Sequence, residues 1–219
     1  MSRCVRIKIC GIRTAAEAAA AAELGADAVG LNFYPSSPRY VDAQSARAIT
    51  QELPPFVEPV GVFVEQPAAA MQAVADVVGF RTVQTSVESG APQLRWPYRL
   101  VAVFRVADAH DRDRLAASLA EWPVDRPRPA AVLIDAKVAG QHGGTGRRVP
   151  WSLLAEWSSP VPLVLAGGLT PENVAEAIRV VRPYAVDVAS GVERSPGKKD
   201  VEKMRRFIGE VREAAARLS

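Results

Sequence analysis

Two residues able to exchange protons stand directly after short, apolar, β-branched runs. Cys10 follows residues 5–9 and Asp135 follows residues 130–134. A thiolate is a base and a protonated carboxyl is an acid. For that work the cysteine must come down from about 8.5 and the aspartate must rise from about 3.9. Free cysteine is also a common small apolar residue of protein cores. Position alone therefore leaves Cys10 open between base and core, and Asp135 open between acid and a cap or loop hydrogen bond. Glycines suggest a second chemistry. Gly167-Gly168 and Ser190-Gly191 follow two more apolar runs, and Gly143-Gly144-Thr145-Gly146 lies in a glycine-rich loop. Glycine lets backbone N–H groups approach an anion closely. Three such segments point to a phosphate site, with tight turns as the alternative.

These residues must be positioned by regular elements, and the chain supplies an alternating series. Strands are expected at 5–9, 28–31, 59–64, 82–84, 100–104, 130–134, 162–165 and 185–188. Ala-rich helical segments are expected at 14–24, 42–52, 67–77 and 109–122, after Pro150, from Pro171, and at 200–218. Thr14 with Glu17 three residues on forms a capping-box pattern, and Gly25 ends that helix. The stretch 85–97, with Gly90, Pro92 and Pro97, predicts only a short or irregular helix.

Eight strands, each followed by a helical segment, predict an all-parallel sheet covered by helices. An open doubly wound sheet and a closed barrel both fit. Eight units favour closure, which removes exposed strand edges. No GxGxxG follows the first strand, so a dinucleotide-binding sheet has little support. The expectation is an α/β protein, one (β/α)8 TIM-barrel domain over residues 1–219. Active sites of such barrels lie where strands end. Cys10, Gly11, Asn32, Glu65, Thr85, Ser86, Arg105, Asp135, Gly167, Gly168, Ser190 and Gly191 all fall there.

Composition excludes several classes. In 219 residues, 48% are apolar, 23% charged and 6% aromatic, and the net charge is +3. These are ordinary values for a soluble globular chain. The densest basic cluster is Lys198, Lys199, Lys203, Arg205 and Arg206. Asp200 and Glu202 interrupt it, so it reads as a solvated helix face rather than a nucleic-acid patch. Cys4 and Cys10, if on one strand, stand ~20 Å apart, well beyond the ~7 Å a disulfide spans. Signal-peptide and membrane-span patterns are missing, and a cytoplasmic location is expected. His110 and His142 have no ligand spacing to a partner, so no metal is expected. Nor does a lysine stand at a strand end as a Schiff-base former would.

The motifs together resemble those of the phosphoribosylanthranilate isomerases. The matching segments begin with Lys8-Ile9-Cys10-Gly11-Ile12, Gly30-Leu31-Asn32-Phe33-Tyr34-Pro35 and Ser37-Pro38-Arg39-Tyr40-Val41. Val60-Gly61-Val62-Phe63-Val64, Leu133-Ile134-Asp135-Ala136 and Gly143-Gly144-Thr145-Gly146 follow. The last are Leu165-Ala166-Gly167-Gly168-Leu169, Asp187-Val188-Ala189-Ser190-Gly191-Val192-Glu193, Pro196-Gly197 and Lys199-Asp200. They run from residue 6 to about 203 in family order.

The resemblance implies an Amadori rearrangement of N-(5-phosphoribosyl)anthranilate in tryptophan biosynthesis. An acid opens the ribose ring to a Schiff base, a base removes the proton on the adjacent carbon, and the enolamine tautomerises. By family match, Cys10 is the base, Asp135 the acid, and Arg39 the partner of the anthranilate carboxylate. The glycines at the ends of strands six to eight hold the phosphate. Asp187 meets sugar hydroxyls or plays a structural role. The implied partner is a small phosphoribosyl substrate, with no cofactor, nucleic acid or membrane, and the chain a monomer or homodimer.

One departure stands out. The family has a His-Gly pair after the fourth strand, where this chain has Thr85-Ser86. Either hydroxyl can replace a hydrogen bond but not a charge. The related histidine-pathway isomerase expects aspartate where Cys10 stands, and indole-glycerol-phosphate synthase expects a strand-end lysine. A degenerate phosphate-binding barrel is the non-enzymatic alternative.

Overall fold

A computed structural model describes residues 4–87, 98–124, 128–135, 151–155 and 157–218. Eight parallel strands close into one barrel: β1 (Arg6–Cys10), β2 (Ala28–Asn32), β3 (Glu58–Phe63), β4 (Thr82–Ser86), β5 (Arg99–Arg105), β6 (Ala131–Asp135), β7 (Leu163–Ala166) and β8 (Ala185–Val188). The ring closes where β8 pairs with β1, with Lys8 opposite Asp187 and Ile9 opposite Val188. Helices follow the strands: α1 (Ala15–Leu24), α2 (Ala43–Gln51), α3 (Ala68–Val78), α4 (Ala109–Ala120), α5 (Ser152–Ala155), α6 (Val174–Val181) and α7 (Val201–Ala216). The eight-fold barrel expected from the alternating pattern is what the chain forms.

Strand alternation divides the core in two. Ile7, Ile9, Leu31, Phe63, Ile134 and Leu165 face outward and pack with helical residues such as Ala18, Met71, Leu115 and Phe207. Ala131, Leu133, Val164, Ala166 and Ala185 face inward and form a smaller cluster with Val101 and Val103. Each large side chain so buried stabilises by roughly 1.5–3 kcal/mol. Lys8 and Cys10 belong to the inward series of β1, and Asp135 to that of β6.

The caps explain most boundaries. The Thr14 side chain accepts from the Glu17 N–H at 3.2 Å, and Gly25 ends α1 at φ 98°. Glu17 departs from the simple capping box. One carboxylate oxygen accepts from the Arg13 N–H and the other from the Lys199 N–H, both at 2.9 Å. Asp42 caps α2 through the Ser45 N–H, and Asp200 caps α7 through those of Glu202 and Lys203.

Two expectations need correction. The helix expected from Pro171 starts at Val174. Asn173 accepts from the Thr170 N–H and donates to the Gly168 carbonyl, both at 2.9 Å, which folds the intervening residues into a turn. The polar stretch after β8 was not expected to contain strands. It holds a 3-10 turn (Ser190–Val192) and a small antiparallel hairpin, β9 (Glu193–Ser195) with β10 (Lys198–Lys199). Among the described residues no helix is long and apolar enough to cross a membrane.

Candidate active site

Cys10 ends β1 on the inner side of the barrel and is 8% exposed. Lys8, two residues earlier, faces the same way. Its ammonium donates to Asp187 Oδ1 at 2.9 Å, across the β1–β8 seam that pairs the two residues. Gly30 on β2 is the third wall. A Cβ there would lie 2.8 Å from Cys10 Sγ and 2.9 Å from Lys8 Nζ. The missing side chain of Gly30 is therefore the space that sulfur and ammonium share.

Burial pushes the Cys10 thiol up, and the positive charge of Lys8 is the main opposing influence. Asp187 adds to the rise and Lys199 works against it, leaving the thiol above its usual value. Burial also disfavours the Lys8 ammonium, but Asp187 and Cys10 outweigh it and hold Lys8 above its usual range.

A second charged chain flanks the first. Glu193 accepts from Arg39 Nε at 2.8 Å and from Arg39 Nη2 at 2.7 Å. Lys199 Nζ donates to the same carboxylate at 2.9 Å and to the Ala189 carbonyl at 3.0 Å. Burial raises the Glu193 carboxyl, but Arg39 and Lys199 outweigh it and hold Glu193 below its usual range. Burial also lowers Lys199. The Arg39 stem lies on Gly11, where an added Cβ would meet Arg39 Cδ at 2.5 Å. Lys8, Arg39 and Lys199 against Asp187 and Glu193 leave one positive charge, which a thiolate at Cys10 would balance.

This geometry revises the expectations for Arg39 and Asp187. The Nε–Nη2 edge of Arg39 holds Glu193, which leaves Nη1 and the second Nη2 proton as its remaining donors. One oxygen of the 7%-exposed Asp187 holds Lys8, so the structural role weighed for it is present. Asp135 ends β6 in the inward series, opposite Arg105 on β5 and Ala166 on β7. Cys10 and Asp135 thus stand at the same, C-terminal end of the barrel on its inner side.

Gly167 and Gly168 take positive φ of 87° and 65°, open only to glycine without strain. A Cβ on Gly191 would lie 1.9 Å from the Leu169 carbonyl oxygen, so the loops after β7 and β8 touch through backbone. Ser190 is exposed beside it. Gly143 and Gly144 lie outside the described residues. Thr85 is 2% exposed, opposite Phe63 and Ala102 in the outward series, with its hydroxyl unpartnered. Ser86, not Thr85, is the hydroxyl on the inner side. Asn32 is used by its own loop, its side chain accepting from the Tyr34 N–H at 2.8 Å.

Lys8, Glu193 and Lys199 were missed as site residues. Lys8 was legible, as a charge of the same parity as Cys10 within an apolar strand. Lys199 was concealed by its basic neighbours. The solvated face expected there is wrong for this residue, whose side chain is 0% exposed. The histidine reading also needs amending. Asp108, His110 and Asp111 hold donor atoms within 4.8 Å of one another on the surface. Both carboxylates there accept backbone N–H groups at the start of α4, which accounts for their proximity. Cavities of about 690 and 340 Å³ open at the opposite, N-terminal ends of the strands, away from Cys10 and Asp135.

A closed parallel barrel with paired ionisable groups at its C-terminal mouth defines a TIM-barrel enzyme of the acid–base kind. A family model described as N-(5'phosphoribosyl)anthranilate (PRA) isomerase matches residues 7–210, and the chain belongs to that family. The N-(5'-phosphoribosyl)anthranilate isomerase of Magnetococcus marinus is 46% identical over 211 residues, covering 96% of each chain. That of Acidithiobacillus ferrooxidans is 47% identical over 212 residues, covering 95% of this chain and 98% of its own. The phosphoribosyl anthranilate isomerase of Thermotoga maritima superposes with a TM-score of 0.84 at 40% identity, covering 95% and 99%. A similar isomerase structure, at TM-score 0.81, 38% identity and 95% and 99% coverage, is a complex with reduced 1-(o-carboxyphenylamino)-1-deoxyribulose 5-phosphate.

Proposed function

We propose that this protein is an N-(5-phosphoribosyl)anthranilate isomerase of tryptophan biosynthesis. It converts the aminoaldose phosphate to 1-(2-carboxyphenylamino)-1-deoxyribulose 5-phosphate, with Asp135 as acid and Cys10 as base. The observation that carries the residue assignment is that both groups end strands on the inner side of the barrel at one mouth. Asp135 gives its proton to the ribose ring oxygen, the C1–O bond breaks, and the anilino nitrogen pushes in to form a protonated Schiff base. Cys10 takes the proton from C2 and the electron pair closes the C1–C2 double bond of the enolamine. Protonation at C1 and loss of the enol proton give the ketose. No step changes oxidation state overall, so acid and base are sufficient.

The substrate's two anionic ends meet different parts of the mouth. The phosphate is assigned to Gly143, Gly144, Gly167, Gly168, Ser190 and Gly191. The positive φ at Gly167 and Gly168 and the backbone contact of Gly191 support that assignment. The anthranilate carboxylate is assigned to the unused edge of Arg39, beside Cys10. Asp187 is left to hold Lys8, with its second oxygen available to a sugar hydroxyl. The reading takes the chain as one domain, a monomer or homodimer working in the cytoplasm. The free state of both cysteines suits a reducing compartment.

The test is turnover of the aminoaldose phosphate by the purified protein, followed as loss of anthranilate-type fluorescence, and growth of a tryptophan auxotroph lacking this step. Cys10→Ala and Asp135→Ala should each lower kcat by about 10²–10⁴. Wild-type turnover in either would remove that residue from the mechanism.

A further inference from the structure

Among the described residues, Lys8 is a buried cation to which the proton-transfer pair gives no task, and it shares the space over Gly30 with the sulfur. We propose that Lys8 is a positioning residue for the isomerisation: its ammonium, tethered by Asp187 and admitted by the bare Cα of Gly30, favours the thiolate form of Cys10 that takes the proton, against the burial that opposes it. The inference rests on the reading of Cys10 as the base.

The geometry carries it. Lys8 and Cys10 are both inward residues of one strand, and their functional atoms converge on a single point, the missing Cβ of Gly30, at 2.9 and 2.8 Å. The 2.9 Å bond to Asp187 keeps the ammonium inside the barrel. A buried lysine otherwise tends to shed its proton. Here Asp187 and the sulfur outweigh burial and keep it charged.

Among the described residues, the charged groups facing the sulfur come from three elements: Lys8 from β1, Asp187 from β8 and Lys199 from β10. Gly30 on β2 brings none. Arg39 lies beyond Gly11 with one edge on Glu193. Lys199 cannot take the part of Lys8. It is committed to Glu193 and to the Ala189 carbonyl, and burial lowers it. Lys8 has one carboxylate partner, Asp187, and shares the space over Gly30 with the sulfur.

The ion pair also suits the catalytic cycle. When Cys10 takes the C2 proton, Lys8 and Asp187 remain as a neutral pair and no bare buried charge is left. When Cys10 releases the proton, the ammonium eases the formation of the sulfur's charge, and the surplus positive charge of Arg39 and Lys199 over Glu193 balances it. Burial, which alone would suppress the thiolate, then serves to keep water from the base.

The experiment is titration of the Cys10 thiol by the pH dependence of its alkylation with iodoacetamide. It is done in a Cys4→Ser background, because Cys4 is exposed and would react first. Steady-state kinetics are measured over the same pH range. In Lys8→Met the midpoint should rise by at least one unit. kcat/KM at neutral pH should fall at least tenfold and recover as pH rises toward the new midpoint. Lys8→Arg keeps the charge and should keep the midpoint near that of the parent.

Lys8→Met strands Asp187, so Lys8→Met/Asp187→Asn removes the pair together. There too the midpoint should rise, because Lys8 lowers the thiol more than Asp187 raises it. Unchanged midpoints in both variants would overturn the inference while leaving Cys10 as base. Full turnover in Cys10→Ala would instead overturn the reading on which it stands.

Discussion

At Gly30 a single hydrogen atom decides whether a sulfur and an ammonium can occupy one space. Gly30→Ala places a methyl group 2.8 Å from the first and 2.9 Å from the second. The variant should lose at least tenfold in kcat and about 1–3 kcal/mol of stability, measured by steady-state kinetics and urea unfolding. Glu193 makes a prediction of opposite kind. Its carboxyl is held below the usual 4.5 in the folded chain, so its contribution is complete above that value and is lost as pH falls through the depressed one. Glu193→Gln should therefore cost roughly 3–5 kcal/mol near neutrality, and its gap from the parent should narrow below about pH 4.5. A constant gap across that window would remove the ion pair as the cause. The roles of these two residues were hard to read from sequence for physical reasons. A glycine in a strand shows nothing of what its neighbours aim at it. A glutamate's partners at residues 39 and 199 are set by the closure of the barrel, not by local spacing.

Among elements, the outer face of β3 shows how closely a strand can be fitted to what covers it. Phe33, Phe63 and Phe80 form one aromatic group, with ring centroids 5.1, 5.7 and 6.2 Å apart. Gly61 lies under it, and a Cβ there would stand 2.3 Å from Phe80 Cζ. Gly61→Ala should cost about 1–3 kcal/mol, and Phe80→Leu in the same chain should recover part of that loss in urea unfolding. Strands and helices of this size were legible because their signals are local. Short β-branched runs marked β1 to β8, and Thr14, Asp42 and Asp200 marked where helices begin. β9 and β10 were not legible. Three polar residues paired with two carry no periodicity, and their pairing depends on the turn at Pro196-Gly197. There Gly197 fits against the Pro38 carbonyl oxygen, 2.2 Å from where a Cβ would be.

For the whole molecule, closure is the property on which the rest depends. The last unit packs against the first. α7 lies on α1 and α6, burying Phe207, Ile208 and Val211. Ending the chain at Asp200 should therefore abolish cooperative thermal unfolding, as seen by circular dichroism. A sharp transition near that of the full chain would show that the remaining units close without it. The overall architecture was legible from the count of eight alternating units. The charge arrangement at the mouth was not, because it joins residues from opposite ends of the sequence.

The hairpin of β9 and β10 has a consequence for how the protein is made. Cys10 leaves the ribosome long before residues 187–199. The groups that set its surroundings are Asp187, 179 positions from Lys8, and Glu193, 154 positions from Arg39, with Lys199 later still. Because domains fold as units once enough chain has emerged, a nascent chain holds an ordinary thiol until residues 187–199 have been made. The sulfur acquires its charged neighbours only as residues 187–199 fold onto it, the same step that encloses it.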